Sequence, residues 1–197
     1  MKPKLVVLAS GSGSNFQSII DAINLNQIDA QIVRLIASRN DIGAIEKSIK
    51  ANIPFSVIRK QSFPNPEQFE TTLLNELMQC DPDLIVLAGY LNQIPDQVIK
   101  IFQNKIINIH PSLLPLYGGK GFYGIKVHQA VIADQKNESG CTVHWVTSNY
   151  DEGPIIAQSR IPVDSKDTAE SLASKVLKLE HQLLPKVIKD ILEKQNS

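Results

Sequence analysis

Residues Lys105 to Gly121 read K-I-I-N-I-H-P-S-L-L-P-L-Y-G-G-K-G. Ile106, Ile107 and Ile109 form a short β-branched run, the pattern of a buried strand. Asn108 interrupts that run and His110 ends it. Side chains two apart on a strand share a face, so these two point the same way. Pro111 offers no donor to the ladder and holds His110 extended, which stops the strand there. A carboxamide and an imidazole therefore stand side by side at the C-terminal end of a buried strand, where open α/β sheets bind ligands. Together they supply a donor for a developing oxyanion and a group that exchanges a proton near neutral pH. Alone, an N-x-H triplet is more often a strand-end Asn beside a solvated His, so its neighbours decide.

Working outward, Leu5 to Ala9 is a continuous apolar run, the pattern of a buried parallel strand. Ser10-Gly-Ser-Gly-Ser-Asn15 follows, and Phe16, Ile19, Ile20 and Ile23 then recur at helical spacing. The new helix exposes unpaired N–H groups and a positive dipole end, an anion site, or else a tight turn whose glycines serve packing. Phe16 stands where a dinucleotide fingerprint needs its third glycine, and no Lys-Ser/Thr follows as in a P-loop. Further strands are expected at Ile32–Ala37, Ile53–Ile58 and Leu84–Ala88, with Pro54 placing the third strand near the sheet edge. Helices are expected at Ala44–Ala51, around Phe69, Leu73 and Leu77, around Val98, Ile99 and Phe102, and at Lys126–Ala133. Thr142–Val146 and Ile155–Val163, joined by a short turn, predict an antiparallel hairpin. Asp167-x-x-Glu170 predicts a capping box opening a last helix whose inner face carries Leu172, Val176, Leu179 and Leu183. The pattern is α/β: a mostly parallel sheet with right-handed crossovers, an antiparallel C-terminal strand and helices on both faces, in one domain over 1–197.

Composition narrows the function classes. Lys plus Arg and Asp plus Glu number 20 each, so no global field draws in nucleic acid or an anionic membrane. No stretch reaches the roughly 20 apolar residues that span a bilayer. Cys80 and Cys141 form no C-x-x-C and read as two buried thiols of a cytoplasmic protein. His110, His128, His144 and His181 show no ligand spacing, so no metal is expected. His144 reads as a structural His, Asp151 as turn chemistry, and Glu180 from its spacing as a rim carboxylate of the last helix. Gly118-Gly-Lys-Gly121 lacks the P-loop pattern, and Gly118 to Gly124, with Phe122 and Tyr123, suits a mobile flap.

The run Asn108-Ile-His110-Pro-Ser-Leu-Leu-Pro resembles the signature of the folate-dependent formyltransferases. Gly140-Cys-Thr-Val-His-Trp-Val-Thr-Ser-Asn-Tyr-Asp151-Glu-Gly153-Pro-Ile-Ile resembles the second signature of that family, with its D-x-G. The likeness covers nearly the whole chain and is nearest to members acting on 5-phosphoribosylglycinamide in purine synthesis. It implies a Rossmann-like formyltransferase fold, with 10-formyltetrahydrofolate as co-substrate and no metal. The implied partners are the two small-molecule substrates, with the protein a monomer or homodimer.

By that resemblance Asn108, His110 and Asp151 are catalytic, and Gly13, Ser14 and Asn15 hold the ribonucleotide phosphate. Glu180 meets the ribose, while Leu91, Asn92, Gln93 and Ile94, together with Asn108, hold the folate. Many bacterial members carry a basic residue at the position of Asn92. Some have an Arg near Pro66 that could hold the glutamate tail; here the nearest basic residue is Lys60. Asn108 and a protonated His110 are expected to stabilise the tetrahedral oxyanion, with His110 protonating the leaving folate nitrogen. Asp151 is expected to raise the pKa of His110 above about 6.5. Two enzymes share the chemistry, a tRNA-directed formyltransferase and formyltetrahydrofolate hydrolase, each with an added region not recognised here. A non-catalytic nucleotide-binding module would use the Gly13–Asn15 loop but has no need of Asn108, His110 and Asp151 together.

Overall fold

Two interleaved sets of apolar side chains on the strands determine how the layers stack. The computed structural model describes residues 1–195, so the last two positions of the expected domain lie outside the described residues. In β1 (Lys4–Ala9), Leu5, Val7 and Ala9 join one core cluster while Val6 and Leu8 join another, as the two-residue period of a strand requires. The first cluster packs under α1 (Ser14–Asn24), through Phe16 and Ile19, and under α6 (Ala169–Gln195), through Leu184 and Ile188. The second packs under α3 (Pro66–Cys80), through Phe69, Leu73 and Leu77, and under α4 (Asp96–Ile101), through Val98. Both faces of the sheet are covered, which is why its central strands read as unbroken apolar runs. Phe16, the residue that spoils the dinucleotide fingerprint, is fully buried and anchors α1 to the sheet.

Between these elements lie β2 (Gln31–Ala37), α2 (Gly43–Lys50), β3 (Phe55–Val57), β4 (Leu84–Leu87), β5 (Ile106–His110), α5 (Ile125–Ala133), β6 (Glu138–Trp145) and β7 (Ile155–Pro162). The order across the seven-stranded sheet is β3-β2-β1-β4-β5-β6-β7. β1 to β5 are parallel, while β6 runs antiparallel to both β5 and β7. The chain winds outward from β1 to β3, then restarts at β4 on the other side of β1. That reversal opens a crevice at the C-terminal ends of β1 and β4, with β5 next to it.

Two expectations change in detail, and one feature of the last helix stands outside them. The third strand is three residues, Phe55–Val57, rather than Ile53–Ile58. It does lie at the edge, where the Pro54 carbonyl accepts from Leu35 N at 2.9 Å and no donor is asked of the proline. The cap of α6 falls one residue later than Asp167-x-x-Glu170: Thr168 Oγ1 accepts from Ser171 N at 3.2 Å and Ser171 Oγ accepts from Thr168 N at 3.0 Å. Asp167 is drawn away by Lys175, whose ammonium donates to it at 2.7 Å. Finally, α6 runs through Pro185, whose ring nitrogen has no hydrogen for the carbonyl of His181. Among the described residues no helix is long and apolar enough to cross a membrane, and no cluster of His, Cys, Asp or Glu suits a metal ion. Cys80 and Cys141 are buried free thiols, and burial pushes the thiol of Cys141 up to about 12.

Candidate active site

β5 ends as its sequence requires, and Asn108 and His110 emerge from it into a cleft of about 580 Å³. The register against β6 pairs Asn108 with His144 and His110 with Thr142. Asp151 arrives from the turn that joins β6 to β7. Gly153 makes that turn possible, because a Cβ there would sit 1.7 Å from the carbonyl oxygen of Trp145. Asp151 itself adopts the left-handed conformation (φ 57°), which Asp tolerates better than most residues. The D-x-G pattern is thus a backbone device that presses the turn against β6 and swings one carboxylate over the end of β5.

The three expected catalytic side chains come together. Asp151 Oδ2 lies 3.5 Å from His110 Nδ1 and accepts from Gly119 N at 2.9 Å. Asp151 Oδ1 accepts from Asn108 Nδ2 at 3.3 Å. His110 Nε2 donates to the Tyr117 carbonyl at 2.8 Å, which leaves Nδ1 as the edge facing the carboxylate. His144, read from sequence as structural, is a full member of the cluster. Its Nδ1 donates to the Trp145 carbonyl at 2.9 Å, and its Nε2 lies 3.1 Å from Asn108 Nδ2 and 3.5 Å from Asp151 Oδ1. Asn108 Nδ2 thus has two partners inside the protein. The longer bond, to Asp151, is the weaker of the two.

The charges settle differently from the sequence expectation. Burial pushes the His110 ring below its ordinary range, and Asp151 and the Tyr117 carbonyl pull upward without overcoming it. The expected rise above the free imidazole value is overturned: at 5% exposure the cost of desolvating an imidazolium outweighs one carboxylate at 3.5 Å. Burial also works against the charge of Asp151. There, however, His144, the His110 ring and the Gly119 N–H win, and its carboxyl stays below the usual range.

Asn15 and Glu180 form a second cluster on the wall of the cleft. Asn15 Nδ2 donates to Glu180 Oε2 at 2.6 Å, and Asn15 Oδ1 is buried with no partner. Glu180 is only 7% exposed, so the rim position inferred from helical spacing was wrong. α6 lies across α1, and this packing covers the helix edge that spacing alone leaves at the surface. Burial raises the Glu180 carboxyl to about 7 against the donated bond from Asn15. Gly13 and Ser14 are not brought into the cleft. Gly13 (φ 74°) is the N-cap of α1, with no side chain capping the helix end, and Ser14 lines a separate groove between α1 and α6.

Leu91, Asn92, Gln93 and Ile94 line the cleft where the chain leaves β4, and Gln93 Nε2 donates to the Ser148 carbonyl at 2.9 Å. Lys60 does not line it; its ammonium sits 5.8 Å from the centre of the Phe69 ring. His128 of α5 also lines the cleft, with burial pushing its ring down to about 4. One His on a short amphipathic helix carries no signal that could have placed it there. His144 could have been found from the β5–β6 register, which sets it beside Asn108.

Comparison with known proteins agrees with this arrangement. The Formyl transferase family model matches residues 3–188. Over 98% of the chain it is 40% identical to the chloroplastic phosphoribosylglycinamide formyltransferase of Vigna unguiculata, of whose length it spans 62%. It is 38% identical to the Bacillus subtilis phosphoribosylglycinamide formyltransferase, covering 98% of this chain and 96% of that one. The crystal structure of phosphoribosylglycinamide formyltransferase from Brucella melitensis superposes with a TM-score of 0.89 at 38% identity, covering 98% and 96% of the two chains. With the family's pattern present along nearly its whole length and the Asn–His–Asp cluster assembled at the end of β5, the chain belongs to the formyl transferase family.

Proposed function

We infer that this chain transfers the formyl group of 10-formyltetrahydrofolate to the glycine amine of 5-phosphoribosylglycinamide, a step of purine synthesis. The observation that carries the reading is the convergence of Asn108, His110 and Asp151 on one cleft, in a chain at least 38% identical over nearly its full length to two enzymes named for that reaction.

In this reading the amine nitrogen attacks the formyl carbon and the carbonyl electrons move onto oxygen. The Asn108 amide meets that oxygen by exchanging its longer bond, the one to Asp151. A donor so placed is worth about 3–4 kcal/mol in comparable acyl transfers. His110, protonated at Nδ1, adds charge stabilisation. As the bond from the formyl carbon to the folate nitrogen breaks, that proton passes to the leaving nitrogen, a step worth about 10²–10⁴-fold. Asp151 supports the charged ring and takes up, through water, the proton lost by the attacking amine. Asn15 Oδ1 and Glu180 offer buried acceptors for ribose hydroxyls. The uncapped end of α1 at Gly13–Asn15 offers N–H groups to the phosphate. Leu91 to Ile94 hold the pterin, and the loop from Gly118 to Gly124 closes over it.

The test mixes purified protein with 10-formyl folate and glycinamide ribonucleotide and follows deformylated folate together with the formylated ribonucleotide. Both should appear in equal amounts, and amide exchange in 118–124 should slow when both ligands are bound. Free formate in place of the formylated ribonucleotide would make the protein a hydrolase; no turnover at all would refute the reading.

A further inference from the structure

The loop after β5 grips the His110–Asp151 pair at both ends. The Tyr117 carbonyl accepts from His110 Nε2 at 2.8 Å, and Gly119 N donates to Asp151 Oδ2 at 2.9 Å. Gly118, between them, lies so close that a Cβ there would stand 3.2 Å from Asp151 Cβ. Tyr117 itself has φ 55°, a backbone that a bulky aromatic adopts only where its surroundings hold it. Its hydroxyl donates to Asp134 Oδ2 at 2.7 Å, and its ring packs against the small cluster of Val131, Cys141, Leu172 and Val176. Phe122 meets that ring edge-on, with the centroids 6.0 Å apart. Asp134 is the C-cap of α5, where a carboxylate opposes the helix dipole. It forms no ion pair among the described residues. The helix gains nothing from an acid at that end, and the side-chain partner Asp134 has is the Tyr117 hydroxyl.

We propose that Tyr117 and Asp134 form a positioning pair that keeps the one proton of neutral His110 on Nε2, so that the proton it exchanges is the one on Nδ1. A carbonyl oxygen can only accept, so its bond to Nε2 fixes that nitrogen as the donor. The competitor is Asp151, whose Oδ2 stands 3.5 Å from Nδ1 and draws the same proton toward that edge. With the Tyr117 carbonyl displaced, neutral His110 carries its proton on Nδ1. A second proton then arrives on Nε2, the edge that faces the loop, where it cannot reach the leaving nitrogen. His144 of β6 and His128 of α5 act on the charge of the same ring. They and Asp151 are untouched by substitutions at Tyr117 or Asp134. Neither member of the pair touches a reacting atom, so both act through His110. The kinetic consequence rests on the formyl-transfer reading above, whereas the tautomer does not.

The experiment records the ring-nitrogen NMR signals of His110 and the steady-state kinetics of the wild type, Tyr117→Phe, Asp134→Ala, Asp134→Asn and the double variant Tyr117→Phe/Asp134→Ala. Neutral His110 of the wild type should be protonated on Nε2. Tyr117→Phe and Asp134→Ala should each move roughly a third or more of the neutral ring to the Nδ1 form. Each should also lower kcat about three- to tenfold, with both KM values within about twofold of wild type. The double variant should be no worse than either single one, as for two residues acting through one contact. Asp134→Asn keeps an oxygen to accept from the hydroxyl and should restore both the Nε2 form and the rate. Asp134 is exposed, so its variants carry the test if Tyr117→Phe fails to fold. An unchanged tautomer in the single variants, KM increases at constant kcat, or additive losses in the double variant would overturn the proposal. A shifted tautomer in a protein that transfers no formyl group would instead refute the reaction and leave the positioning pair standing.

Discussion

His110 is held between two opposing influences. Burial favours the neutral ring, whereas Asp151 and the Tyr117 carbonyl favour the charged one, and burial prevails. Only the charged ring can deliver a proton, so turnover should rise as pH falls toward its depressed pKa. Asp151→Asn keeps the shape and leaves an oxygen to accept from Gly119 N, but removes the charge. The His110 pKa should then fall further, and kcat at neutral pH should drop by about 10²-fold or more. Part of the loss should return at lower pH, while substrate KM values change far less. NMR titration of His110 in the two proteins checks this. An unmoved pKa would leave Asp151 as a residue that positions water. Asn108 and His110 were legible as a pair because a two-residue spacing before a proline has one geometric meaning. The sign of the His110 shift was not, since a sequence does not reveal how dry a site is.

Among the elements, the turn from β1 into α1 is tightly constrained. Gly13 has φ 74°, and a Cβ there would meet Ala44 Cα at 2.7 Å, so α1 and α2 can approach only over a glycine. Gly13→Val should cost about 2 kcal/mol or more in stability from strain and collision together. By shifting the uncapped helix end it should raise the KM for the ribonucleotide much more than that for the folate. Gly13→Ala gives a milder variant for the kinetics. Thermal unfolding and paired KM measurements decide, and equal effects on the two substrates would remove the phosphate from this turn. The glycine-rich turn was evident from its residues. That Ser14 faces a groove away from the cleft depends on where α2 and α6 settle.

Over the whole molecule, two buried titratable groups on the cleft wall oppose each other. Glu180 is raised to about 7 from an ordinary 4.5, so its share of stability is present below that ordinary value and lost as pH climbs through 7. His128 is lowered to about 4 from 6.5, so its share is present above 6.5 and lost as pH falls toward 4. Between about 4.5 and 6.5 the two slopes offset one another. Glu180→Gln keeps the neutral shape and removes one slope. The variant should match the wild type near pH 4.5 and exceed it by about 1–3 kcal/mol at pH 8, while binding the ribonucleotide less well. Urea midpoints across that range test it; parallel curves for the two proteins would rule out a titrating Glu180.

The sequence by itself determined where strands occur, a mostly parallel sheet with an antiparallel C-terminal strand, the edge position of β3 and the pairing of Asn108 with His110. Each of these follows from local chemistry: apolar period, proline's missing donor and side-chain alternation. The two signature runs also led it to Asp151. Tertiary structure alone decided the burial of Glu180 against Asn15, the entry of His128 and His144 into the site and the isolation of Lys60. It also decided that His110 is harder to charge than a free imidazole. Those properties depend on which surfaces meet across α1, α5 and α6, and burial and dielectric belong to the assembled fold, not to any stretch of chain.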